Sequence, residues 1–292
     1  MELDIVGCMV YLERIYLIIT IPITEQACKL CGKAELKVFL SFSKGAIAEC
    51  SICGNACTLP PPNAIRYASE SFTKRSLGLA DTVKATELNN LPKNWKNSIK
   101  HQVLILTKWL PKGARILEVG CAEGILLKEL QKAKFKCLGV EPSTVSSKIA
   151  RERGIDVICD SFPSKQIQGF FGAVVFSHSL EHFSEPLAML NEAIRLSPNG
   201  YIYLTQTNYK GIIPALYKQR WTGWAPESHY YHFTPRGIAF ISKQLGLTPV
   251  VCSYNSIVHG NGLAAKFLEG LSKIIPKLSD QFNILLQSIK QD

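Results

Sequence analysis

The sequence predicts an α/β fold: a doubly wound, mostly parallel sheet with a small cysteine-bounded module ahead of it and helices behind. Three observations carry that expectation. From Arg115 onward, short apolar runs alternate with amphipathic stretches, as strands do when crossover helices cover both faces of a sheet. The first run, Ile116 to Val119, closes on the glycine-rich turn Gly120-Cys121-Ala122-Glu123-Gly124, the place where such sheets bind ligands. Upstream, Cys28-Lys29-Leu30-Cys31-Gly32 and Cys50-Ser51-Ile52-Cys53-Gly54 form two matched knuckles.

Hydrophobic residues at 47% against 19% charged exclude a disordered or fibrous chain. The net charge of +10 favours acidic partners (phosphate-bearing substrates, nucleic acid, an anionic membrane surface) without choosing among them, and solvated lysines explain it equally well. Residues 1–24 read as an N-terminal extension. Their apolar run, Ile15 to Ile23, is too short to span a bilayer and is broken by Pro22. Glu2, Asp4 and Glu13 stand where a signal peptide carries positive charge. A cytoplasmic protein is expected, and its ten cysteines should be thiols or metal ligands, since a reducing cytosol does not keep structural disulfides.

Residues 25–60 read as a zinc-ribbon module. Each knuckle turns two thiolates toward one point, and the glycine after the second cysteine permits a left-handed turn, so Cys28, Cys31, Cys50 and Cys53 complete a tetrahedral shell for structural zinc. Val38 to Phe42 supplies a hairpin strand. A thioredoxin-like redox site needs one such pair, and two argue against it. Cys57 is a spare ligand or a free thiol. With few apolar residues of its own, the module should depend on metal to fold. Pro60-Pro61-Pro62-Asn63 marks a boundary. Residues 61–95 are a connector, helical or partly ordered.

Lys96 to Leu110 places Ile99, Val103, Leu104, Leu106 and Leu110 at roughly helical spacing, an amphipathic helix packing on the domain that follows. Strands are then expected at Ile116 to Val119, Lys136 to Glu141, Asp156 to Asp160, Ala173 to Ser177 and Gly200 to Thr205, with helices at Glu123 to Ala133, Thr144 to Arg153 and Pro186 to Leu196.

The turn after the first strand admits two cofactors. A dinucleotide wants G-x-G-x-x-G, but Ala122 and the bulky Ile125 occupy its second and third glycine positions. Glu118 adds a carboxylate that repels a pyrophosphate and suits a ligand carrying an ammonium and a sulfonium, as S-adenosylmethionine does. Glu141, at the end of the second strand, can accept both hydroxyls of a ribose for either cofactor. Asp160 is an acceptor for an exocyclic adenine amine or the cap of its own turn.

The run Ile116 to Gly124, then Gly139-Val140-Glu141-Pro142-Ser143, Val175 to His182 and Leu196-Ser197-Pro198-Asn199-Gly200 resemble the successive motifs of class I S-adenosylmethionine-dependent methyltransferases. The resemblance implies a seven-stranded, mostly parallel, Rossmann-like sheet over residues 96–260, ending in an antiparallel hairpin whose other half contains Ile257. It implies that Glu118 and the backbone of Gly120, Cys121, Ala122 and Gly124 hold the methionine part of the cofactor. Glu141 and Pro142 would meet the ribose, and Asp160, Ser161 and Phe162 the adenine. Ser177 to His182, Leu180 included, would floor the site. The family's glycine at Ala122 and its aspartate at Gly172 are missing.

Residues 207–233 form an insertion rich in Tyr, Trp and basic side chains at a strand end, where acceptor recognition belongs. Its Trp221-x-x-Trp224 and His229-x-x-His232-Phe233-Thr234-Pro235 resemble a subset of these methyltransferases, many of which carry a zinc module and act on small molecules or cell-surface glycans. His229 is a candidate general base or a structural hydrogen-bonder, and His182 a second candidate or a packed residue. Thr234 caps a helix begun by Pro235, and a strand follows at Pro249 to Tyr254. Residues 261–292 read as two amphipathic helices broken near Pro276, packing on the domain or touching a membrane surface. The expected activity is O-methylation of a small-molecule or glycan acceptor. RNA is the competing acceptor, and a non-catalytic scaffold the alternative of a different class.

Overall fold

The computed structural model describes residues 27–33, 36–63, 88–255 and 278–288, with positions 267, 270, 271 and 275 besides. The extension at 1–24, the connector from 64 to 87 and the segment around Ile257 lie outside the described residues.

Seven strands build the main sheet: β4 (Arg115–Val119), β5 (Lys136–Val140), β6 (Asp156–Ile158), β7 (Ala173–Ser177), β8 (Tyr201–Thr207), β10 (Leu247–Asn255) and β11 (Gln281–Ser288). Their order is β10-β11-β8-β7-β4-β5-β6. β6, β5, β4, β7 and β8 run parallel, while β11 pairs antiparallel with both β8 and β10. The helices are α1 (Lys93–Trp109), α2 (Ile125–Lys132), α3 (Thr144–Glu152), α4 (Pro186–Leu196), α5 (Ile212–Tyr217) and α6 (Pro235–Gln244). Alternate residues of one strand face opposite layers. Leu117, Val119, Phe282 and Ile284 belong to one apolar cluster, and Ile116 and Leu285 to the one lined by α1 and α2.

Two helix starts follow the sequence. Thr234 accepts the Gly237 N–H at 2.9 Å with Pro235 in the first turn, and Ser143 accepts that of Ser146 at 3.2 Å. On α1 the buried face is Ser98, Ile99, Gln102, Ile105 and Leu106. Leu104, expected inside, is 67% exposed, because it lies a half-turn from the Ile99–Gln102 line.

The C-terminal stretch corrects the sequence reading. Gln281–Ser288 is a strand, not the second amphipathic helix, and it takes the hairpin position expected of the Ile257 segment. Phe282, Leu285 and Leu286 fit a helical period by count, yet a strand between two neighbours is buried on both faces and shows no alternation. Gln281, Asn283 and Ser288 are buried in it, and Asn283 Oδ1 accepts from Tyr203 Oη at 3.0 Å and Thr205 Oγ1 at 2.9 Å.

The cysteine module holds β1 (Leu36–Phe42), β2 (Gly45–Cys50) and β3 (Ala56–Leu59), but its sheet has a fourth strand, β9 (Tyr231–His232), from the insertion. Cys28, Leu30, Leu36 and Ala48 share one core with Phe233, Ile238 and the main sheet. The seam is narrow at Gly237, where an added Cβ would overlap the Asn55 side chain that accepts the Thr234 N–H at 3.1 Å. Gly237→Ala is therefore expected to cost about 1–3 kcal/mol, read as a lowered midpoint in thermal unfolding.

Candidate functional site

The turn after β4 is built from left-handed residues: Gly120 at φ 70°, Ala122 at 46° and Gly124 at 73°. Ala122 has a Cβ where the family prefers glycine, a strain of roughly 1–2 kcal/mol. The turn is closed by Gly120 N–H to Val140 O at 2.8 Å and Gly124 N–H to Cys121 O at 2.9 Å. Glu141 reaches in from β5: its Oε2 accepts the Ala122 N–H at 3.0 Å and its Oε1 the Ser143 N–H at 2.8 Å. Glu118, Glu123 and Glu141 are all buried here, with no ion pair to any of them among the described residues.

The result is a cluster of buried carboxyl groups with no basic partner among the described residues. Burial, then the charge of Glu141, pushes the Glu118 carboxyl well above the usual range. Burial also raises Glu141, against the two backbone N–H groups that lower it. Glu118 Oε2 has no hydrogen-bond partner, an expensive state for a buried oxygen unless a ligand donates to it. A cationic ligand fits that donor gap, and the ammonium and sulfonium of S-adenosylmethionine are of that kind.

A cavity of about 240 Å³ opens beside the turn, lined by Gly120, Pro142, Ser161, Phe162 and, on its histidine side, by His182 and Tyr230. Phe162 is held by an edge-to-face contact with Phe176 at 6.0 Å, an apolar wall for a base. Asp160 does not line the cavity; Ser161 N–H, Ser164 Oγ and Gln166 Nε2 donate to its carboxylate, the turn-capping alternative. Leu180 is fully buried in the core, and Ser177 ends β7 outside the lining. Ser179, inside the stretch expected to floor the site, lines the cavity and donates to Val119 O at 2.6 Å. Glu227 and Ser228, which the sequence did not single out within the expected acceptor insertion, bring that insertion to the wall.

On that side the structure gathers His178, Glu181, His182, His229 and His232. His182 lines the cavity and His229 stands behind it, their rings 4.8 Å apart. His182 Nδ1 lies 3.0 Å from Ser228 O and His229 Nδ1 3.1 Å from Gly223 O, which assigns the proton to Nδ1 and leaves Nε2 as the acceptor nitrogen in each. Burial lowers His182, partly offset by Glu181, and lowers His229 further, so both rings are neutral near pH 7. Burial alone would raise Glu181, but the His178 hydrogen bond opposes it, and the carboxyl is held below its usual range. His178 sits at φ 53°, backbone strain of the kind that collects at functional sites.

The four knuckle sulfurs lie within 4.8 Å of one another, with Cys28 to Cys53 at 3.8 Å and Cys31 to Cys50 at 3.6 Å. A tetrahedron with metal–sulfur bonds of ~2.3 Å has edges of about 3.8 Å. Gly32 and Gly54 take the left-handed turns at φ 65° and 72°, so the residues fit zinc. Cys57 lies outside this group, and burial pushes its thiol up to about 12.

Comparison with known proteins agrees with this geometry. A methyltransferase-domain family matches residues 92–252. Two relatives are named ubiquinone biosynthesis O-methyltransferase. That of Bordetella avium is 28% identical over 153 residues, 47% of this chain and 64% of its own length. That of Bordetella bronchiseptica is 27% identical over 171 residues, 52% and 71% respectively. The chain thus spans a little under two thirds of the first. Among solved structures, a putative methyltransferase in complex with the Haloferax volcanii Trm112 activator aligns with TM-score 0.58 at 12% identity, covering 78% of this chain and 99% of that one. The plantazolicin methyltransferase BpumL aligns at 0.51 and 14%, covering 77% and 96%. No helix among the described residues is long and apolar enough to cross a membrane. By its matched domain and its strand order, the chain belongs to the methyltransferase-domain family and carries the class I methyltransferase fold.

Proposed function

We propose that the chain is an S-adenosylmethionine-dependent O-methyltransferase acting on a small hydroxyl-bearing acceptor. The observation that carries this is the buried, unpartnered Glu118 oxygen two residues before Gly120, which lines the same cavity as neutral His182. When bound, S-adenosylmethionine supplies an electrophilic methyl group on a sulfonium. Glu118 and the turn Gly120 to Gly124 hold its amino-acid end, Glu141 and Pro142 the ribose, and Ser161 and Phe162 the base. His182 Nε2 would take the acceptor's hydroxyl proton as the acceptor oxygen receives that methyl group, with S-adenosylhomocysteine as the leaving group. Glu181 stabilises the imidazolium, and alignment of acceptor, methyl and sulfur supplies most of the rate. The relatives' names support oxygen as the nucleophile.

RNA is the second reading, favoured by the charge of +10. The cavity's described lining contains Glu227 and neither lysine nor arginine, which suits a small uncharged acceptor better. Labelled methyl transfer from S-adenosylmethionine to a panel of phenols, sugars and RNA, over a salt series, tests this. Label in a phenol or sugar hydroxyl, with weak salt dependence, is expected. Label in RNA with a steep salt dependence would replace this reading with the other.

A further inference from the structure

The cysteine centre and the acceptor end of the cavity are parts of one sheet. The knuckle Cys50 to Asn55 is closed by Gly54 N–H to Cys50 O and Cys50 N–H to Asn55 O, both at 2.9 Å. From it, Gly54 O accepts from Tyr209 Oη and from Thr234 Oγ1, each at 3.0 Å. These two residues bracket the insertion. β3 then pairs with β9 at Ala56–His232 and Cys57–Tyr231. Thr58 Oγ1 donates to His229 O at 2.6 Å and lies 3.1 Å from His232 Nε2, and its N–H donates to Tyr230 O at 3.0 Å. The aromatic core of the insertion is shared as well: Trp221, Trp224 and Tyr209 pack with Ile47 of β2 and Ala56 of β3.

On the catalytic side the same segment is tied by Tyr230 N–H to Glu181 O at 2.8 Å and by Ser228 O to His182. Segment 221–234 is therefore clamped between the knuckle and the histidine cluster, whereas the cofactor turn after β4 is held by β5, by Ser179 at Val119 O and by Ser146 at Glu123, none of them in the cysteine module. We propose that metal occupancy of Cys28, Cys31, Cys50 and Cys53 shapes the acceptor wall of the cavity and leaves the cofactor half standing, with Thr58 as the positioning residue that transmits it. The inference rests on the proposed function for the meaning of the cavity, not for its test.

The full-length protein is stripped of zinc with a chelator, and amide exchange of 221–234 is followed beside calorimetric binding of S-adenosylhomocysteine. Metal loss is expected to speed exchange in 221–234 at least tenfold while the affinity changes less than threefold. Re-addition of zinc restores protection. Unchanged exchange in that segment overturns the proposal. If the stripped protein unfolds altogether, zinc-loaded Thr58→Val decides: faster exchange at 228–233, reversed in Thr58→Ser, supports the coupling, and unchanged exchange overturns it. Failure of S-adenosylhomocysteine to bind at all would remove the cofactor reading but leave the exchange result standing.

Discussion

Glu118→Gln is expected to weaken S-adenosylhomocysteine binding about 30-fold, or ~2 kcal/mol, without unfolding the protein. The wild-type carboxylate is buried with one oxygen unpartnered, and the amide keeps its size but loses the charge that an ammonium recognises. The raised carboxyl adds a pH signature. Burial favours the protonated form in the ligand-free fold, and an ammonium beside Oε2 drives that proton off, so binding should release a proton and tighten as pH rises. Calorimetry in buffers of different ionisation enthalpy reads both. For the empty fold the sign is the reverse. The stability that protonated Glu118 contributes is complete below the unfolded value near 4.5 and is lost as pH rises through the raised folded value.

His182→Ala is expected to reduce turnover by roughly 10²–10⁴-fold while S-adenosylhomocysteine affinity stays within a few-fold. His182 and not His229 faces the cavity, and removing the ring takes away the proton acceptor without touching Glu118 or Glu141. Because burial lowers its pKa, the neutral base should persist to pH values below the usual 6.5, and turnover should fall only as pH drops through the lowered value. Glu181→Gln removes the charge that raises His182, so its acid limb should move lower still. A rate profile against pH for the three proteins checks the assignment. An unchanged profile in His182→Ala would assign the proton elsewhere.

Much of this arrangement is legible in the sequence because it is local. The strand Ala173 to Ser177 and the helix Pro186 to Leu196 have the expected bounds, since apolar runs and Pro at a first helical turn encode themselves. Thr234 caps as its position foretells, and the glycines after both knuckles turn left-handed. The order of His182 and His229 is not local. Both read as isolated histidines in sequence, and only packing across 46 residues sets one before the other. β9, two residues long, has no periodicity to detect, so the joining of the cysteine module to the insertion was invisible. Asp160 had two chemically sound roles, and the structure shows the loop's own Ser161 and Ser164 donating to it, which the sequence alone could not choose.

The central claim, that the turn after β4 receives a sulfonium cofactor facing His182, is tested most directly by a crystal structure of the S-adenosylhomocysteine complex. The account predicts the ligand's ammonium within hydrogen-bond distance of Glu118 Oε2, its ribose at Glu141, its base against Phe162, and its sulfur toward His182. A ligand bound elsewhere, or one whose ammonium leaves Glu118 unpartnered, would contradict it.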